Sequence, residues 1–415
     1  MKHVYTSVDI GSDSIKVVVC ELFQNKLNLL AASSYKSRGI KKGLITDVEE
    51  ASTCIREAIS DVEKMLGIPI KRVIASIPSY FAEYSIIKAE VPLQDENIGV
   101  THEDVSEVLS QAVSSKPLED REFVTALPVD FRVDEKAGIK DPLGLMGSVI
   151  GVRAILVTTP KKNVYSVITL LEKLGIEVVD ISINNIGDLY SFKNKEIDQK
   201  IGTIINIGSE TTSISLYNRG VIVKSSIINM GGKNVDSDIA YMYKTDLETA
   251  RKLKHSFALA HKRNANVSDT YEISTSVDKS LKVNQFEVSE IVSSRLEEIL
   301  NLVKKELNIL TTKQIDYMII TGGTSNMDDI EYVASQVLGK NVSIGNVKLL
   351  GIRNNKYSSC VGNIVYFISK LKLRGKNYSM ISNEDASTLA TVRKSSVESA
   401  NDSMLGKIFG YFFNE

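Results

Sequence analysis

The stretches SVDIGSDSIKVVV (7–19) and IINIGSETTSISLY (204–217) spell the same phrase: a strand, a glycine turn and a returning strand. Written once, the phrase is an ordinary hairpin, because any tight reversal uses glycine and small polar neighbours. Written once in each half of a chain, it calls for a fold with two equivalent turns. The surrounding pattern agrees. HVYTSVDIG, SIKVVVCEL and KLNLLAASSY read as three antiparallel strands, DVEEASTCIREAISDVEKMLG as a helix and RVIASIPS as a further strand. In the helix, Val48, Ala51, Cys54, Ile55, Ala58, Ile59 and Val62 form one apolar stripe, with Asp47 placed to cap its start and Gly67 following its end. In the second half GTIINIGS, TSISLYNRG and VIVKSSIINM precede a long helical region, and DYMIITGG returns as a strand. Two halves with one β-β-β-α-β order imply a duplicated α/β core with a cleft between the halves.

The bulk properties narrow the class. At 415 residues, 43% hydrophobic and 24% charged, the chain has the make-up of a soluble protein of two or more domains. A net charge of −1 gives nucleic acid no electrostatic hold. Cys20, Cys54 and Cys360 are scattered and odd in number, which predicts a reducing compartment and no disulfide framework. His3, His102, His255 and His261 make no pair at ligand spacing, which argues against structural zinc. The start, MKHVYTSVDIG, enters a strand pattern without an apolar leader, and no run of 18 apolar residues occurs, so a cytosolic chain without a membrane span is expected.

A third glycine turn gives the cleft a purpose. In Ile319-Ile320-Thr321-Gly322-Gly323-Thr324-Ser325-Asn326 an apolar strand ends on two glycines, where no side chain obstructs a flat ligand. Hairpin, hairpin and strand-Gly-Gly make a nucleotide clamp: two loops grip phosphates from opposite halves and the third lies under the adenosine. Asp9 is placed to hold water on a phosphate-bridging Mg²⁺, and Lys16 to reach a phosphate as a point charge.

This arrangement resembles the actin/Hsp70/sugar-kinase superfamily. Asp9, Gly11, Ser12, Asp13, Ser14 and Lys16 are similar to its first phosphate loop, and Asn206, Gly208, Ser209, Glu210 and Thr211 to its second. Gly322, Gly323, Thr324 and Ser325 resemble the adenosine motif, and Glu248, Arg251 and Lys252 the helix residues flanking adenine and ribose. A narrower resemblance, to the bacterial FtsA family, rests on KSRGIKKGLITD (36–47), GIKDPLGLMGSVIGVRAILVT (138–158), NMGGKNVDSDIAYMYKTDLETARKLK (229–254) and a short amphipathic C-terminus. It implies an actin-like two-lobed ATPase fold with a duplicated β-β-β-α-β-α core and the family's inserted subdomain 1C. The expected boundaries are 1–83, 161–195 and 366–380 for subdomain 1A, and 84–160 for 1C. Residues 196–230 and 308–365 form 2A, 231–307 form 2B, and 381–403 a flexible linker before an amphipathic helix at 404–415. The second loop departs from the superfamily pattern. It opens with Asn206 where Asp is usual, and Glu210 adds an anion near the phosphates; both point to slow or negligible ATP turnover, and no residue stands out as a catalytic base.

In the tail, Met404, Leu405, Ile408, Phe409 and Phe412 fall on one helical face. Burying five such side chains in a membrane interface yields roughly 2 kcal/mol each. Ordering about ten residues takes back roughly 1 kcal/mol apiece. One copy therefore binds weakly, and a polymer binds by avidity. The resemblance implies a polymerising ATP- and Mg²⁺-binding division protein at the septum. It would link FtsZ filaments, docked on 2B, to the cytoplasmic face of the membrane, with 1C serving other division proteins. A small-molecule kinase of the superfamily, an Hsp70-like chaperone and a pilus-assembly relative are the competing readings.

Overall fold

The computed structural model describes residues 3–95, 97–275 and 280–389. The first lobe opens with β1 (His3–Ile10), β2 (Ser14–Phe23) and β3 (Lys26–Lys36), a small hairpin β4 (Ile40–Lys41) and β5 (Leu44–Ile45), then α1 (Val48–Leu66) and β6 (Arg72–Ile77). The ends of α1 are as the sequence predicts. Asp47 accepts the Glu49 and Glu50 N–H groups, and Gly67 closes the helix at φ 70°. Its apolar stripe is buried against the sheet.

An inserted unit follows: β7 (Glu83–Pro92), α2 (His102–Ser114), β8 (Arg121–Val133), β9 (Lys136–Ile139) and β10 (Val149–Pro160), the strands pairing in the order β7-β10-β8-β9 with a small core of their own. Thr101 and Asp104 close a capping box at the start of α2. The chain returns through α3 (Lys161–Lys173) and β11 (Glu177–Ile183), then α4 (Asn184–Phe192).

The second lobe contains β12 (Ile201–Ile207), β13 (Thr212–Asn218), β14 (Val221–Ile228), α5 (Gly232–Tyr243), α6 (Leu247–Ser256), β15 (Thr270–Ile273), β16 (Leu281–Asn284), α7 (Gln285–Leu310), β17 (Tyr317–Thr321), α8 (Ile330–Leu338) and β18 (Val342–Ile344). Helix α9 (Ser358–Leu373) then crosses back to the first lobe. The two main sheets have one topology. The first is ordered β3-β2-β1-β6-β11 and the second β14-β13-β12-β17-β18. In each, three antiparallel strands are followed by two parallel ones. The duplication expected from the repeated phrase is thus realised strand for strand.

Helices α4 and α9 lie side by side between the lobes, and their apolar faces belong to a core that also takes Ile74 and Ile183 from one sheet and Ile204, Tyr217 and Ile319 from the other. The approach is closest at Gly362, where an added Cβ would fall 1.6 Å from the Gly187 carbonyl oxygen. Only two glycines permit it.

Three features differ from expectation. The segment 36–47 holds the hairpin β4–β5, whose tip, Lys42 and Gly43, has φ of 51° and 77°. The long helical region of the second half is interrupted by β15 and β16. The expected linker at 381–403 starts too early. Ser382 accepts the Asp385 N–H and opens a helical segment over 383–389, while Ile381 and Leu389 pack on the first-lobe core. Just before it, the Met380 N–H donates to the Val4 carbonyl at 2.9 Å and the Met380 side chain is buried. The polar composition hid this docked turn. Residues 390–403, and the side chains Met404, Leu405, Ile408, Phe409 and Phe412 expected to face a membrane, lie outside the described residues.

Candidate functional site

A cavity of about 700 Å³ lies between the lobes, lined from both sides. The β1–β2 turn forms one wall. Asp9 and Lys16 are cross-strand partners in register, and their side chains meet at 2.9 Å with little exposure. Burial alone would lower the Lys16 pKa, but the charge and hydrogen bond of Asp9 outweigh it and hold the ammonium above its ordinary value. The other Asp9 oxygen accepts from the Asn184 side-chain amide at 2.9 Å. Gly11 leaves room for this packing: a Cβ there would lie 2.6 Å from the Lys16 ammonium and 3.0 Å from the Ser14 carbonyl oxygen.

The β12–β13 turn forms the facing wall and leans on the start of α5. The Gly232 and Lys233 N–H groups donate to the Gly208 and Ser209 carbonyls at 2.9 and 2.8 Å. Asn206 donates its side-chain amide to Asp188, 2.7 Å away. Asp188 also accepts from the hydroxyls of Ser358 and Ser359 at 2.6 and 2.9 Å. Burial pushes its carboxyl up to about 6 against these hydrogen bonds. The pairing gives a physical reason for Asn at 206: an aspartate there would set two carboxylates in contact. Asp188 itself is buried on α4 behind the turn and does not line the cavity.

Glu210, in the same turn, reaches across the cleft. One carboxylate oxygen accepts the Lys42 backbone N–H at 2.7 Å, and the other pairs with Lys233 at 2.7 Å. Two more contacts join the lobes here. Arg251 on α6 pairs with Asp13 at 2.8 Å, and the Tyr80 hydroxyl donates to Asn229.

The third turn supplies the floor. Gly322 has φ 92°, and a Cβ there would fall 2.4 Å from the Asn206 side-chain oxygen, whereas Gly323 meets nothing within 4 Å. The open glycine face is the one expected under a flat ligand.

Asp9, Gly11, Ser12, Asp13, Ser14, Lys16, Asn206, Gly208, Ser209, Glu210, Thr211, Arg251, Gly322, Gly323 and Thr324 all line this one cavity. Three expected residues do not. Ser325 is buried behind the loop, bonded to the Gly322 carbonyl, and Glu248 and Lys252 pair with each other on the outer face of α6. That helix contributes Lys254 and His255 instead. Lys254 pairs with Asp236 at 2.6 Å and donates to the Gly232 carbonyl; burial draws its pKa down. The sequence reading missed Asp188, Asn184 and the Asp236–Lys254 pair. A signal existed for the first two, since NNIGD sets three polar side chains into an otherwise apolar run. Among the described residues no three His, Cys, Asp or Glu side chains cluster to hold a metal. Asp9 keeps a carboxylate beside the β1–β2 turn, which would suit a cation held largely by ligand oxygens and water.

Two family models match the chain: "Cell division protein FtsA" over residues 203–362 and "SHS2 domain inserted in FTSA" over 83–158, the latter coinciding with the inserted unit. The chain belongs to the FtsA family. It is 27% identical over 387 residues to the cell division protein FtsA of Bacillus subtilis (strain 168), covering 92% of this chain and 88% of that protein. With the FtsA of Streptococcus pneumoniae it shares 28% identity over 86% of this chain and 78% of that one. Among solved structures, a PilM–PilN type IV pilus biogenesis complex superposes with a TM-score of 0.59 at 15% identity, covering 87% of this chain and 98% of that one. MreB5 of Spiroplasma citri bound to ADP gives 0.56 at 14%, covering 90% and 99%. These likenesses establish the actin-like fold of this FtsA-family chain, and the inserted unit marks its FtsA type.

Proposed function

We propose that this chain is an actin-like cell-division protein whose interlobe cleft binds an adenine nucleotide with Mg²⁺. The supporting observation is the convergence of three glycine turns, from both lobes, on one cavity with the buried Asp9–Lys16 pair at its phosphate end. Lys16 supplies charge to phosphate oxygens, and Gly322 and Gly323 offer a bare surface to the adenosine. Asp9 would hold Mg²⁺ through water, and the metal would supply neutralisation of phosphate charge. Turnover is slow or absent, because Asp188 and Asn206 are tied to each other and to Ser358 and Ser359. Nucleotide then acts as a structural ligand that favours self-association.

The family role adds the rest: polymers at the septum that hold FtsZ filaments to the cytoplasmic face of the membrane through residues 404–415. Exposed Tyr241 and Met242 at the end of α5 offer a partner apolar surface within 231–307, the segment assigned to FtsZ. Exposed Ile98 and Met146 do so on the inserted unit, assigned to other division proteins. Lipid-vesicle flotation with FtsZ filaments tests the whole. Filaments should float with the full chain and stay down with a chain lacking 404–415, while nucleotide binding is the same for both. Flotation of filaments by the shortened chain would refute the tether.

A further inference from the structure

Glu210 is an anion in the second glycine turn, and it lines the cleft opposite Asp9 and Asp13 of the first. Its carboxylate takes the Lys42 N–H from the first lobe and the Lys233 ammonium from the second. The Lys42 N–H points into the cleft because the tip of β4–β5 turns with positive φ at both Lys42 and Gly43. The next amide, Gly43 N–H, donates to the Ser12 hydroxyl at 2.8 Å, which ties the same tip to the first phosphate turn. The Glu210 side chain is only 15% exposed. The Ser12 hydroxyl also bonds to it and, with Lys42 and Lys233, holds its pKa below the usual carboxylate range despite partial burial, which alone would raise it.

A terminal phosphate closes a two-lobed clamp by accepting donors from both sides at once. Here a side chain already accepts from both sides. We propose that Glu210 stands in for the terminal phosphate, closing the cleft over a nucleoside diphosphate and setting a preference for diphosphate over triphosphate. This rests on the nucleotide reading of the cleft. The mechanism is charge and occupancy: a triphosphate brings its extra anionic group toward a fixed carboxylate that also engages Lys233. Replacing that carboxylate with an amide removes the repulsion, keeps an oxygen for the Lys42 N–H and frees Lys233 for phosphate.

The test is calorimetric titration of the full chain with ADP and with a non-hydrolysable ATP analogue, each with Mg²⁺, for wild type, Glu210→Gln and Glu210→Ala. Wild type should bind ADP at least as tightly as the analogue. Both variants should shift the affinity ratio toward the triphosphate by roughly tenfold, the effect of one nearby charge at intermediate dielectric. Glu210→Ala alone should also weaken ADP binding, because it loses the bridge to Lys42. An unchanged ratio in both variants, or a wild type that prefers the triphosphate by tenfold or more, overturns the inference and leaves the nucleotide site standing. Binding of neither nucleotide by any of the three proteins overturns the nucleotide reading and this inference with it.

Discussion

Replacing Gly362 by alanine tests how the lobes are joined. In an ordinary helix interior the change stabilises by roughly 1 kcal/mol, because alanine is the better helix former. Here the new methyl would sit 1.6 Å from the Gly187 carbonyl oxygen and 2.9 Å from the Ser191 nitrogen. A carbon and a carbonyl oxygen approach to about 3.3 Å at best, so α4 and α9 would have to separate by roughly 1.5 Å. Both are backbone contacts, and no side chain can swing aside. Overpacking of this kind costs about 1–3 kcal/mol or more. The separation would also loosen the shared core around Ile186, Leu189, Val361 and Ile364, which is fully or almost fully buried. We expect a net loss of about 2–3 kcal/mol, a fall in melting temperature of roughly 5–10 °C at about 2–4 °C per kcal/mol. Thermal melts followed by circular dichroism measure it, with Gly323→Ala, which meets nothing within 4 Å, as the neutral control. A Gly362→Ala chain melting at or above wild type would refute the close crossing.

Asp188 makes a pH prediction. Its carboxyl rises from near 3.8 to about 6 on folding, so the folded chain holds more protons between those values. The favourable contribution is present below about pH 4 and lost as pH rises through 6, amounting to about 3 kcal/mol at most. Denaturant titrations from pH 4 to 7.5 should show a falling component that Asp188→Asn lacks; parallel profiles would contradict it. Lys16→Met leaves Asp9 buried with Asn184 as its side-chain partner among the described residues. It should cost about 3 kcal/mol in stability, within the range for breaking buried pairs, and at least tenfold in nucleotide affinity by titration. Arg251→Ala removes a pair about one-third exposed on each side. Its stability should change by under about 1 kcal/mol, while ADP affinity falls measurably.

What the sequence made legible was what period and turn chemistry govern locally. The repeated glycine phrase gave the two matched sheets, and the apolar stripe and caps gave α1. The loop residues that line the cavity followed, since each glycine turn is contiguous in the chain. What stayed hidden depends on contacts between distant segments. Asp188 comes to support the second turn only because α4 meets β12 and α9 in space, and its pairing with Asn206 gives a physical reason for that residue. Glu248 and Lys252 share α6 with Arg251, but the helix turns them outward, and no local signal fixes its rotation about the cleft. The hairpin β4–β5 is two residues per strand, too short for any periodicity to show, yet its tip carries the amide that Glu210 holds. Ser382 falls within the expected polar tether because its capping role shows only with the helix it starts.

The central claim is that both lobes close on one nucleotide. Hydrogen exchange of the full chain, with and without Mg²⁺-ADP, tests it most directly. Amides in residues 9–14, 206–211 and 322–326 should slow together when nucleotide is added. Slowing confined to one lobe, or none at saturating nucleotide, would contradict the account.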